Sequence, residues 1–376
     1  MFLLAWRQTT LDRSRTLVTT LALGSVIAVI LVLQGFEQGQ YHQLERAILE
    51  RGGDLIVTQS GVDSFFARSS IPQLTRAEIE AVGGVRAVHP MTAVPVIYEN
   101  DGRRTPILVF VTDTKGGPRT LIEGRDVAGD RDLVVDHALA VTHGIRVGDP
   151  FVVSDFEFTV SGIARDSAAF FVPFAFISYD GMIDFFLESE LAPDISAFPL
   201  LSFMLVDLEP ASAPALVAAD IQARVPAVDV FTPERMAEQS VALGRSFLAP
   251  IMGLLVLVAY VIALLVVAMI MYVEVATRLR GFAVLKALGF SARRLSQTVL
   301  CHAGLLLLVG LPIALALAQG TAIIVQSTVP LYEMRPFEPA TFLRTLLGVA
   351  VSGAAGAIVP LRAIRRADPM LAFQEP

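Results

Sequence analysis

The sequence predicts an α-helical membrane protein with four transmembrane helices and a large extracytoplasmic α+β domain between helices 1 and 2. Three observations predict it. Four apolar blocks reach membrane-spanning length, the segment 37–246 between the first two has globular composition with short strand patterns, and basic residues gather on one side of the blocks. Over 376 residues, 54% are hydrophobic and 17% charged, with a mean hydropathy of +0.62. An ordinary soluble domain carries about 25% charged residues, so a purely soluble chain is excluded.

The predicted spans are 16–36, 247–272, 302–325 and 342–361, each near or above the roughly 20 residues that cross a bilayer. The first is too long for the apolar core of a secretory signal and has no small-x-small cleavage pattern after it, so it reads as an uncleaved anchor. Basic residues in short loops stay on the cytoplasmic side. The segments 1–15, 273–301 and 362–376 hold eleven basic against four acidic residues, a balance of +7. The rest of the chain holds 18 basic and 32 acidic residues, a balance of −14. Both termini and the 273–301 loop are therefore expected inside the cell, and the 37–246 domain and the short 326–341 loop outside.

Helical stalks are expected at both ends of the outer domain. Nothing breaks a helix between Phe36 and Arg51, and Gly52-Gly53 supply the stop, so one helix from Thr16 to Arg51 would reach about 54 Å. At the other end Thr232-Pro233 is a cap residue followed by proline at the first helical position, which starts a helix running into the second span. Gly348, Ser352 and Gly356 recur every four residues as candidate helix-packing positions, within one subunit or between two. Gly310 and Pro312 predict a bend in span three, and Gln319 a helix-to-helix hydrogen bond.

The outer segment alternates strand patterns (54–58, 93–98, 105–112, 132–135, 150–153, 156–163) with turns. Thr75 to Val82 reads as a helix with a capping box at Thr75 and Glu78. The run 202–208, 214–224 and 228–231 reads as strand, helix, strand. A mixed α+β domain in two lobes is expected.

Chemistry is sparse. Cys301 stands alone, which excludes an intrachain disulfide and a thiolate metal cluster. The net charge of −7 argues against a nucleic-acid partner. His137 and His143 are six apart, not the i, i+4 spacing of a zinc pair, and read as loop or core residues. Asp130, Asp132 and Asp136 lack the glycine and terminal glutamate of a calcium loop and read as a solvated face. No metal, catalytic residue or cofactor is assigned to this chain. Two apolar stretches, Phe65-Phe66 and the run holding Phe170, Phe171, Phe174 and Phe176, read either as core or interface or as a hydrophobic outer surface for a lipidic cargo or a partner protein.

The 275–295 loop is the most informative stretch. Phe282, Leu285 and Leu288 fall on one side of a helix that Gly289 ends, and Ser291 caps the next helix. By composition this is an amphipathic helix at the cytoplasmic membrane surface. Together with Leu4-Ala5-Trp6-Arg7 at the start, Thr277 to Phe290 in the loop and Pro360 to Pro369 at the end, the chain resembles the permease subunits of MacB/FtsX/LolC-type ABC transporters, the type VII or mechanotransmission systems. In the outer segment Val147-Gly148-Asp149, Val160 to Ile163 and Thr75 to Pro90 are similar to that family's periplasmic core domain. The extension 36–51 and Gly53 to Val57 resemble the DevC-like branch, linked to glycolipid export. Where relatives have Arg-Glu-Ile, this chain has Arg280-Gly281-Phe282, so an acidic contact is not carried over to Gly281.

The resemblance implies a multi-pass protein of the bacterial inner membrane that pairs with a second permease copy or paralogue and with two copies of an ABC ATPase, which binds ATP and Mg. A periplasmic adaptor and an outer-membrane channel are further candidate partners. It implies that the loop helix docks on the ATPase, a role carried to Thr277, Arg278, Arg280, Phe282, Leu285, Lys286 and Gly289. The sequence itself tests the division of labour. A Walker loop needs Gly-Lys before Ser or Thr, and the two lysines, Lys115 and Lys286, are followed by Gly116 and Ala287. The expected function is transmission of ATP-driven motion to the outer domain for export or extraction of a hydrophobic, lipidic or peptide cargo. The alternative is an FtsX-like signalling subunit that controls a cell-wall hydrolase without transport.

Overall fold

The computed structural model describes residues 13–190, 200–277, 281, 284–286, 288, 290–358 and 362. It divides into a helical unit (Met1–Gln38, Leu248–Val325, Met334–Pro376) and an α+β unit (Gly39–Phe247, Gln326–Glu333).

Among the described residues there are four long helices: α1 (Arg13–Leu49), α6 (Pro233–Thr277), α7 (Ala292–Thr328) and α8 (Pro339–Gly356). Stretches of the first three, 34, 45 and 36 residues long, are long and apolar enough to cross a membrane. The 18 residues of α8 cover part of the span expected at 342–361, and 359–361 lie outside the described residues.

Within the helical unit the packing follows small residues. A Cβ on Gly24 of α1 would lie 2.9 Å from Ile313 Cγ2 and 3.0 Å from the Gly310 carbonyl of α7, so the two backbones approach as only glycine permits. The stripe on α8 faces α6 of the same chain: Cβ atoms on Gly348 and Gly356 would meet the Tyr260 ring at 2.5 Å and the Leu264 carbonyl at 2.9 Å. Ser352 is buried between them in sequence. Ile27, Ile30, Leu31, Ala263, Ala314 and Val349 form one core, and Leu23, Val267, Met271, Leu295 and Val299 another.

The expected helix-to-helix hydrogen bond is made by a different glutamine. Gln319 is exposed, whereas Gln34 is buried, donates to the Tyr260 hydroxyl at 3.3 Å and accepts from the Thr345 hydroxyl at 2.8 Å. An amide buried among apolar helices must find both partners, and this one does.

The α+β unit is built on one 11-stranded sheet. The elements, in chain order, are β1 (Leu55–Gln59), β2 (Ile71–Pro72), α2 (Thr75–Glu80), β3 (Val85–Asn100), β4 (Arg103–Thr112), β5 (Leu121–Gly124), β6 (Asp132–Asp136), α3 (His137–His143), β7 (Pro150–Val153), β8 (Phe156–Ala164), β9 (Ala168–Ala169), β10 (Val172–Ser178), α4 (Tyr179–Glu188), β11 (Leu200–Leu201), β12 (Phe203–Leu208), α5 (Pro214–Arg224) and β13 (Val228–Phe231). The sheet order is β13-β1-β12-β3-β4-β10-β6-β8-β5, with β7 on β8 and β9 on β10, and β11 pairs with β2 separately. Neighbours are antiparallel except β4 with β10 and β6 with β8. The strand, helix, strand run spans β12, α5 and β13, with β1 inserted antiparallel between the two strands.

The two expected lobes share this sheet. The ribbon of β3 and β4 is continuous from Asn100↔Arg103 to Met91↔Thr112, turned by Asp101 (φ 50°) and Gly102 (φ 74°), the two positive φ values that a tight hairpin needs. One core lies around Leu55, Ile79, Met204 and Ile221, another around Leu133, Phe151, Phe158 and Ile177, and a third, around Phe110, Phe174 and Phe203, uses the alternate strand residues and so the opposite face of the sheet.

Three local expectations are corrected. No side chain caps α2: Thr75 is its first helical residue and is buried, and the chain enters through a turn in which Arg76 N–H donates to Gln73 and Ala77 N–H to Leu74. Asp132 and Asp136 are buried rather than solvated. His137 and His143 are the two ends of a helix, α3, capped by Asp136, whose carboxylate accepts from Ala138 N–H at 2.8 Å.

Candidate functional site

The residues assigned to ATPase docking fall partly within the described structure. Thr277 ends α6, exposed, with its hydroxyl donating to the Val273 and Glu274 carbonyls at 2.9 and 3.1 Å. Leu285 is 37% exposed, with Val284 and Leu288 at 45% and 72%. The Leu288 N–H donates to Val284 and the Phe290 N–H to Leu285, so this apolar run is helically turned. Lys286 is half-buried beside them. Arg278, Arg280, Phe282 and Gly289 lie outside the described residues. Ser291 directly precedes α7, its hydroxyl accepting from Arg294 N–H at 3.4 Å.

In the α+β unit the phenylalanines divide. Phe65, Phe174 and Phe176 are interior, so they are core and not outer surface. Phe65 stacks on Phe203 at 4.4 Å, and Phe174 and Phe176 sit on β10, hydrogen-bonded on both sides by β4 and β6. Residues 173–177 of β10 are all buried, on both faces of the sheet, so this apolar run has no outward side. Phe66, by contrast, is 37% exposed, and Phe170 and Phe171 are half-buried.

Phe170 and Phe171 form the tip of the hairpin joining β9 to β10, where Ala169 pairs with Val172. Both have positive φ, 48° and 67°, a conformation that glycine and asparagine adopt far more readily and that costs on the order of 1–3 kcal/mol at a bulky residue. The strain fixes two rings. Phe170 lies against Gly244 of α6, where a Cβ would be 2.4 Å from its Cζ, and Phe171 lies 5.8 Å from the Tyr332 ring. Tyr332 belongs to the 326–333 segment, which His42 and Gln43 of α1 also hold, through Glu333 at 3.1 Å and the Leu331 carbonyl at 3.1 Å.

Beside this tip is a cavity of about 660 Å³, bounded by Leu44, Phe66, Phe170, Phe174, Leu243 and Phe247 among others. Its polar side chains are Ser64 and Ser240, and Ser240 already accepts from Phe65 N–H at 3.0 Å. A site so lined binds apolar matter and has no ionisable side chain in its walls.

Two charged groups of this unit, Asp207 and Arg51, are buried in its interior. Burial pushes Asp207 up, but hydrogen bonds from Lys115 (2.6 Å to each oxygen) and Arg86 (3.0 Å) outweigh it and hold the carboxyl below its ordinary range. Lys115 is thus occupied by an ion pair. Arg51, buried at the end of α1, is lowered by burial to about 10 and donates to the Ala47 and Gly116 carbonyls at 3.0 Å each. No cluster of metal-binding side chains occurs among the described residues.

Asp136 differs. Burial pushes its carboxyl up to about 6 against the lowering effect of the Ala138 and Ser167 N–H groups, and Asp166 adds to the rise. A carboxyl raised on folding contributes stability below its unfolded value that is lost as pH rises through the folded one. The gap is worth on the order of 3 kcal/mol. Asp136→Asn, neutral at every pH, should therefore gain stability relative to the parent between pH 4 and 7, followed as the difference between their thermal midpoints. A pH-independent difference would contradict the assignment.

Comparison with known proteins accounts for both units. Residues 16–224 match the family described as MacB-like periplasmic core domain, and 253–369 match the FtsX-like permease C-terminal family. The chain is similar end to end to an uncharacterized ABC transporter permease of Mycobacterium tuberculosis, 26% identical over 383 residues with all of both chains covered. An uncharacterized ABC transporter permease of Mycobacterium bovis is 25% identical over 386 residues, again with all of both covered. Among solved structures, the extracellular domain of the noncanonic ABC-type transporter YknZ from Gram-positive bacteria covers 48% of this chain and 100% of its own, at a TM-score of 0.36 and 12% identity. The periplasmic region of MacB from Actinobacillus actinomycetemcomitans covers 51% and 94%, at 0.37 and 10%. With more than half its length in the periplasmic core match and most of the remainder in the permease match, the chain belongs to the MacB/FtsX-type family of ABC transporter permeases.

Proposed function

We propose that this permease transmits motion from a separate ABC ATPase to its α+β unit through four membrane helices, with both termini and the 273–301 loop in the cytoplasm. The observation that carries the reading is α6, a helix of 45 residues with Pro250 inside it, which carries Gly244, packed in the α+β unit, and ends at Thr277 beside the loop. A helix is stiff along its axis, so displacement at one end is felt at the other. Grouping of Gln326–Glu333 with Gly39–Phe247 supports a topology in which the loop between α7 and α8 shares a side with the large domain.

In this reading the loop residues Thr277 to Gly289 engage the ATPase, which binds ATP and Mg, and a second permease completes the assembly. Apolar cavity walls favour a hydrophobic or lipidic cargo. The test is reconstitution in vesicles with and without the cognate ATPase. Turnover of ATP is expected only from the pair, and turnover by the chain alone would overturn the proposal.

A further inference from the structure

We infer that the 660 Å³ cavity receives one acyl chain of an anionic membrane lipid, with Arg68 facing the headgroup. Size comes first. At about 30 Å³ per group, a liquid water's share and close to that of a methylene, the space holds about twenty such groups, the scale of a fatty acyl tail. The walls come second. Leu44, Phe66, Val172, Phe174 and Leu243 offer a water no hydrogen-bond partner, so an apolar ligand is favoured against these walls.

Third is the rim. Ile97, Leu243 and Phe247 are 69%, 41% and 68% exposed, apolar surface that a lipid tail would cover. Phe247 is also the first residue of the apolar run 247–272 in the same helix, so the cavity wall and that run are one continuous element.

The headgroup end is set by a second cavity of about 610 Å³ that shares Phe66, Pro95 and Leu108 with the first. Its lining adds Arg68, Ser69 and Ser70. Arg68 is exposed and has no ion pair or hydrogen bond from its side chain among the described residues. A guanidinium next to an apolar slot suits a phosphate joined to a hydrocarbon tail. The strained Phe170-Phe171 tip keeps the slot open by holding Phe170 on Gly244 instead of in the space beside it.

The inference rests on the proposed entry of α6 into the bilayer at Phe247 and is independent of ATP-driven motion. The test uses the full chain in vesicles of phosphatidylcholine and phosphatidylglycerol, one of the two carrying a photoactivatable acyl chain. Adducts from the glycerol lipid are expected on the segments 95–108 and 169–174, lost in Val172→Trp, which fills the slot, and in Ile97→Asp, an exposed rim position that folding tolerates. Arg68→Gln should erase the preference for the glycerol lipid over the choline lipid. Adducts confined to the membrane helices, equal labelling by both lipids, or protection of the slot by a second copy crosslinked across Ile97 would each overturn the inference. A chain that fails to integrate into vesicles would instead overturn the topology on which it rests.

Discussion

Replacing Leu285 by Asp is expected to abolish copurification of the ATPase while leaving membrane insertion and the thermal midpoint unchanged. Leu285 is 37% exposed and lies with Val284 and Leu288 on a short apolar helical run, so part of its side chain is open to a partner. Buried against a partner, a leucine is worth about 1.5–3 kcal/mol, and a carboxylate in its place adds a desolvation cost. Each 1.4 kcal/mol is about tenfold in affinity, so the expected weakening is about a hundredfold or more. Leu285→Met should keep the complex, since it conserves volume and polarity. Retained copurification by the aspartate variant would remove the loop helix from the docking surface.

Gly244→Leu should destabilise the α+β unit by about 1–3 kcal/mol through overpacking, and the cost should fall when Phe170 is also changed to Ala. At Gly244 a Cβ meets Phe170 at 2.4 Å and Leu44 Cδ2 at 3.1 Å. A phenylalanine on an ordinary turn would swing aside, but Phe170 sits at φ 48° in a two-residue hairpin whose next residue is also at positive φ, so the ring has little room to move. Thermal melts of the parent, two single variants and the double variant measure the coupling. Additive effects would mean that the two residues do not touch. In the ATPase complex, Gly244→Leu should also leave ATP turnover intact while weakening the response of the α+β unit, because the altered contact lies at the far end of α6.

The regular elements were legible in the sequence because their signals are local. Thr232-Pro233 marks the start of α6, Gly52-Gly53 follow α1 with both φ values positive, and the limits of α5 and β13 agree with the sequence pattern. Asp136 was misread because three aspartates close in sequence look like a surface, whereas alternate burial and an N-terminal cap give each a separate role. Gln34 was passed over inside an apolar block, since only the crossing of α1 with α6 and α8 supplies its partners Tyr260 and Thr345.

The cavity was half legible. The clustering of phenylalanines pointed to the right region, but no sequence rule expects Phe-Phe at two consecutive positive φ values, nor assigns Phe66 to the slot and Phe65 to the core. Its walls come from α1, the 64–66 loop, β3, β4, β9, β10 and α6, elements far apart in sequence that the sheet order brings together.

The central claim is that nucleotide chemistry on a partner moves the α+β unit of this chain. Spin labels on cysteines replacing Gln222 of α5 and Arg294 of α7, with Cys301 changed to Ser, report it most directly in the reconstituted ATPase complex. Both label positions are exposed. The distance distribution is expected to shift when ATP is trapped and to return after hydrolysis. An unchanged distribution in a complex that hydrolyses ATP at its full rate would contradict the account.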